Sequence, residues 1–164
     1  MILLQFKGDV IKGDSIIDGH TDWIAISSVQ FGVGRGISST TGGSDRETST
    51  PSFSEVSLGK PTDCASTNLF AQAIYGMKVA DTCTLDFIQT GGTDKSVQIY
   101  MQIILTNPII SSYSVSSGGD RPSESFSINF TKMVYKYTQF KIGGTPTAAD
   151  TKGYNLQTGK PDIT

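Results

Sequence analysis

The chain has 164 residues, 17% of them charged, with a formal net charge of −2 and two cysteines. That length suggests one domain with a real core. The near-neutral balance offers no basic patch for nucleic acid, and two cysteines make no disulfide framework, so reduced thiols are expected at Cys64 and Cys83. The first residues lack the basic and long apolar regions of a signal peptide, and no run is long enough to span a membrane as a helix. Eighteen glycines, about 11% against a usual ~7%, argue for many turns and hence for an all-β chain.

In chain order, Ile2, Leu4 and Phe6 alternate with Leu3, Gln5 and Lys7, which predicts a central strand. A polar loop follows to His20. Trp23 to Val33 predicts a second strand, too long to lack a bend, with Trp23, Ala25, Val29, Phe31 and Val33 inward and Ser28 and Gln30 on the opposite parity. Residues 36–51 have almost no apolar content and are expected to form a long loop, and Ser52–Leu58 the next strand. From Thr62 to Gly76 the period changes. Leu69, Phe70, Ala73 and Ile74 predict a short helix laid on the sheet, capped by Asp63 or Ser66 and closed by Gly76.

Thr82–Thr90 and Ser96–Thr106 alternate as strands across a turn at 91–94. Ile109–Tyr137 then reads as a long antiparallel hairpin around Gly118–Pro122. Ser112, Ser114 and Ser116 alternate with Ser111, Tyr113 and Val115, and Ser125, Ser127 and Asn129 with Phe126, Ile128 and Phe130. One face is thus polar yet nearly uncharged. Residues 141–152 read as a loop, Gly153–Leu156 as a short terminal strand and Gly159–Thr164 as a loose end.

No catalytic set emerges. His20 stands between Asp18 and Asp22 in a polar loop, where solvation is a simpler expectation than cation binding. Nothing resembles a nucleophile motif, a zinc set or a phosphate loop, so no enzyme activity, metal or cofactor is expected. Asp45, Glu47, Asp120 and Glu124 each lie near Arg46 or Arg121, which favours ion pairs within the chain or to another chain.

Several stretches together resemble the hemolysin-coregulated proteins, which form the inner tube of bacterial type VI secretion systems. They are Leu3-Leu4-Gln5-Phe6-Lys7-Gly8, the segment from Asp9 to Gly13, and Val29-Gln30-Phe31-Gly32-Val33-Gly34-Arg35. The Gly- and Ser-rich loop, Phe53-Ser54-Glu55-Val56 leading to a helix over Ser66–Tyr75, and 111–116 with 118–126 continue the likeness, and Lys152-Gly153-Tyr154 closes it. Tyr154 stands where the family is associated with tryptophan.

The resemblance implies a single domain over 1–164, a β-barrel of two packed, mainly antiparallel sheets with one flanking helix. It implies homo-hexameric rings that stack into a tube, effectors carried in the lumen, and sheath and spike proteins as partners. It also implies release from the cytoplasm to the exterior without a signal peptide. No further C-terminal domain is expected. Ser39, Thr40, Thr41, Asp45, Arg46 and Glu47 are the expected ring-stacking loop. Asp120, Arg121 and Glu124 are expected subunit or loop contacts, and Ser28, Gln30, Ser112 and Ser114 are lumen candidates. The alternative is a stand-alone β-barrel binding module, for carbohydrate for example.

Overall fold

A computed structural model describes residues 1–39, 46–91, 96–141 and 143–163. The fold is all-β with one short helix, as expected. A seven-stranded sheet runs in the order Lys160–Pro161, Pro146–Asn155, Lys132–Phe140, Ser96–Thr106, Thr82–Gly91, Ile2–Phe6, Ile24–Ile26. A four-stranded sheet runs Ile109–Ser116, Ser123–Asn129, Val56–Pro61, Ser28–Gln30. Their pairings are antiparallel. Between the sheets lie Leu4, Phe6, Leu58, Leu85, Ile103, Leu105, Phe126 and Ile128, all buried. Each such side chain contributes roughly 1.5–3 kcal/mol by leaving water.

The bend expected between Trp23 and Val33 falls at Ser27. Ile24–Ile26 is the edge of the large sheet and Ser28–Gln30 the edge of the small one, so one stretch of chain serves both. The Ser27 N–H donates to the Gly59 carbonyl at 2.8 Å and anchors the corner. Passing a corner reverses which parity faces the core. Before it, Ile24 and Ile26 are buried and Trp23 and Ala25 only half-buried, the reverse of the expected parity; after it, Val29 and Phe31 turn inward and Val33 is exposed. On the other side the small sheet ends at Ile109–Ser116, where the helix lies alongside, so the barrel stays open there.

The helix spans Ser66–Tyr75. Neither expected residue caps the helix: the N-cap is Ala65, without a side-chain cap hydrogen bond, and Asp63 and Ser66 instead close the turn before it, Asp63 Oδ1 accepting the Ala65 N–H at 2.8 Å and Ser66 Oγ the Asp63 N–H at 3.0 Å. Gly76 adopts φ 61°, and its N–H closes onto the Gln72 carbonyl. The apolar face, however, is only half covered. Leu69 is buried, whereas Phe70 and Ile74 are exposed, because the helix lies beside an edge strand rather than across a sheet.

Two expected loops are strands. Ile37–Ser39 pairs with Arg46–Thr48, and Val33–Gly34 with Ser52–Phe53, so 33–39 and 46–53 form the two arms of a β-hairpin whose polar strands carry little alternation; the strand expected at Ser52–Leu58 is accordingly split between this hairpin and Val56–Pro61. Pro146–Asn155 pairs along Lys132–Phe140, although 141–152 reads as a loop. Its first half is exposed and leaves no inward parity to detect. The end expected to be loose is tied by Lys160–Pro161.

The 8–23 loop folds over the outer face of the large sheet. The Gly13 N–H donates to the Asp22 carbonyl, and a Cβ at Gly13 would overlap the backbone of Trp23 and Ile24. Gly13→Ala is therefore expected to destabilise by about 1–3 kcal/mol. Gly153→Ala, whose Cβ would strike the carbonyl of Asp162 just past Lys160–Pro161, should cost less, because that end can shift. Paired melting curves check the order, and equal losses would contradict it.

Candidate functional site

The outward face of the four-stranded sheet is a hydroxyl surface. In one row across the strands stand Gln30, Ser57, Ser127 and Ser112; in the next stand Ser28, Gly59, Ser125 and Ser114. A third row ends the sheet with Pro61, Ser123 and Ser116. The four residues singled out as lumen candidates thus come together on one face of one sheet. All four are exposed. None of the residues in these rows is charged or aromatic.

The hydroxyls engage one another. Ser114 Oγ and Ser125 Oγ lie 2.6 Å apart, and Ser57 Oγ and Ser127 Oγ 3.2 Å apart. Gly59 sits in its row because a Cβ there would collide with the Ser28 hydroxyl. At the rim, Glu55 accepts Ser111 Oγ–H at 2.7 Å and Asn129 Nδ2–H at 3.2 Å, so both carboxylate oxygens are engaged.

Glu124, expected as an exposed contact, is instead 3% exposed on the opposite, core-facing side. It pairs with Lys60, its register partner, at 2.9 Å. Lys60 Nζ also donates to Asp63 at 2.7 Å and to Ser66 Oγ at 3.2 Å. Burial pushes the Glu124 carboxyl up, but hydrogen bonds from Ser66, Lys60 and Thr62, with the Lys60 charge, outweigh it and hold the carboxyl below its usual range. Burial, helped by a hydrogen bond to Glu124, pushes the Tyr113 hydroxyl up to about 12. Alternation from the exposed Ser123 and Ser125 could have placed Glu124 inward, as alternation from Val56 and Leu58 could have placed Lys60.

The neighbouring turn is tied to the same place. Arg121 is exposed, and its Nε donates to the Thr62 carbonyl at 2.8 Å; Thr62 in turn donates to the Pro122 carbonyl. Asp120 is exposed. Of the expected stacking residues, Ser39, Arg46 and Glu47 lie on the two hairpin strands, with Ser39 opposite Arg46. Thr40, Thr41 and Asp45 fall outside the described residues. Arg46 is exposed and accessible to a partner, whereas Glu124 is not.

His20 is buried rather than solvated. Its Nε2 lies 3.0 Å from Asp86 Oδ2, and Gln102 donates to the other oxygen at 2.7 Å. The Trp23 ring meets the imidazole edge-on at 4.6 Å. The pair fastens the 8–23 loop to the large sheet. Among the described residues no group of three His, Cys, Asp or Glu is placed to hold a metal, and no helix is long and apolar enough to cross a membrane. Cys64 and Cys83 are unpaired; a hydrogen bond with Asp14, then burial, pushes the Cys64 thiol up to about 11.

The model of the family described as "Type VI secretion system effector, Hcp" matches residues 3–137. The chain belongs to the Hcp family. The matched span contains all three serine rows and the Lys60 cluster, and the chain is by class a type VI secretion tube protein. The fold is similar to that of a solved type six secretion system protein at 25% identity, with 98% of each chain covered and a TM-score of 0.87. It is also similar to Hcp1 from Salmonella typhimurium (22% identity, 98% and 97% covered, TM-score 0.75). A type VI secretion system effector from Yersinia pestis shares it too, at 19% identity, 94% and 99% coverage and a TM-score of 0.73. No curated protein matches the chain by sequence.

Proposed function

We propose that this Hcp-family chain is a non-enzymatic, ring-forming subunit of the secretion tube. Six copies close a ring, rings stack, and the serine face lines a lumen through which effectors pass outward. Sheath and spike proteins are the further partners. The observation that carries this reading is the serine face itself. Three rows made mostly of serine and free of charge suit a wall that meets varied cargo, because fixed charges would hold some cargo and repel the rest. A carbohydrate module is less well supported, since the rows offer no aromatic platform.

Ring formation is tested by native mass and sedimentation; monomer alone at high concentration would exclude it. Gln30→Glu tests the lumen. The residue is exposed at the edge of the face, so the subunit should fold normally. In a ring it would add six like charges, and multivalent cargo contacts would feel all of them. Retention of at least one effector should change several-fold while the ring persists. Unchanged binding across several effectors would count against a lumenal Gln30, and loss of the ring would place it at the subunit contact.

A further inference from the structure

The serine face carries no charge along its rows, but it does at its end. One row beyond Gln30, Ser57, Ser127 and Ser112 stands Glu55, exposed and on the same strand parity as Ser57. Among the described residues no lysine or arginine pairs with it. The far end of the face runs into the turn that carries Asp120 and Arg121, both exposed and opposite in sign. The two ends therefore differ: an acid without a cation at one, both signs at the other.

Glu55 is held in place. Ser111 Oγ–H reaches its Oε2 at 2.7 Å and Asn129 Nδ2–H its Oε1 at 3.2 Å, and both donors come from the Ile109–Ser116 side of the sheet. An ionised carboxylate has two acceptor sites on each oxygen, so each oxygen keeps one free. On the opposite side, toward Ser28–Gln30, lies an open concavity of about 420 Å³. Gln30, Phe31, Gly32, Ser54, Glu55 and Ser57 line it, so an amide oxygen, a hydroxyl and an aromatic wall stand beside the carboxylate. Two free acceptor sites on a fixed carboxylate match the planar fork of a guanidinium. An ammonium is a point charge and would use them less fully.

We propose that this concavity binds an arginine side chain of the cargo, with Glu55 as counter-charge and Gln30 and Ser57 as lesser acceptors. The cargo as source of the guanidinium rests on the lumen reading above. A single exposed pair of this kind is weak, but a ring would present six in a belt, and a basic segment would meet several at once. Charge confined to one end can select a segment as it enters, while the uncharged rows beyond let it pass without being held.

The test is fluorescence anisotropy of a fluorescein-labelled hexa-arginine peptide titrated with the assembled protein at physiological salt. The wild-type protein should bind it, and bind hexa-lysine several-fold more weakly. Glu55→Gln, exposed and of the same shape, should weaken hexa-arginine binding at least tenfold with the native mass and melting temperature unchanged. Gln30→Met, which removes the amide but keeps the length, should weaken it several-fold. Asp120→Asn, at the far end, should leave it unchanged. No binding by the wild type, or equal binding by Glu55→Gln, overturns the pocket and leaves the ring and its lumen standing. Binding that appears only when Arg46→Ala is introduced would make the hairpin of another copy the occupant and overturn the cargo assignment. Monomer alone at high concentration would remove the ring reading, whereas hexa-arginine binding by that monomer, lost in Glu55→Gln, would still uphold the pocket.

Discussion

Lys60→Ala is expected to destabilise the subunit by about 3–5 kcal/mol, because it strips the counter-charge from a carboxylate that is out of water. For a chain of this size that lowers the melting temperature by roughly 6–20 °C. The geometry sets the magnitude: Lys60 is 1% exposed and Glu124 3%. Replacing Lys60 and Glu124 together with methionine should hurt less than removing the lysine alone, since apolar volume fills the site and of the two acids only Asp63 is left without its cation. A double variant worse than Lys60→Ala would contradict this account. Acid supplies a second check. The folded-state pKa of Glu124 is lowered, so its contribution is complete above the unfolded value of about 4.3 and is lost as the pH falls through the folded value. Glu124→Gln should therefore melt with a shallower dependence on pH in that acidic window, and an unchanged slope would show that Glu124 is not the group responsible.

Cutting back the hairpin should abolish tubes while sparing rings. Ile37 lies opposite Thr48, so residues 38–47 can be replaced by Asn-Gly, a pair suited to a two-residue turn. The subunit should fold, because the hairpin pairs within itself and contributes nothing to the buried cluster beyond Phe53. Electron microscopy should show rings without stacks, and export should cease. Single exposed ion pairs at Arg46 contribute only ~0–1 kcal/mol, so an Arg46 substitution alone should weaken stacking far less than the deletion. Export persisting in the shortened chain would remove the hairpin as the stacking contact.

Legibility followed burial. Ser123–Asn129 has one wet face and one dry one, and its alternation located Phe126 and Ile128 in the core and the serines outside. The same alternation put Ser112 and Ser114 on the outward face, where both are exposed. The strand from Trp23 onward misled because parity inverts at Ser27, and no local pattern marks a strand changing sheets. Only the end of Pro146–Asn155 was read as strand, at Gly153–Leu156; residues 146–152 were invisible because an exposed strand near a sheet edge needs no apolar period. Lys60 was missed for a different reason. One of its partners is three residues away and another sixty-four, so only the pairing of Val56–Pro61 with Ser123–Asn129 brings its buried acid to it. His20 likewise depends on Asp86, which lies sixty-six residues along the chain.

The corner at Ser27 also bears on how the subunit fails under load. Ile24–Ile26 and Ser28–Gln30 are consecutive, yet each is the outermost strand of a different sheet. Peeling either sheet from this side drags an edge off the other, so neither half can shed strands cheaply by itself. Calorimetry should accordingly record a single heat-absorption peak whose van't Hoff and calorimetric enthalpies agree. In the stacked tube proposed above, a push delivered to one wall of the subunit would pass through covalent backbone into the other.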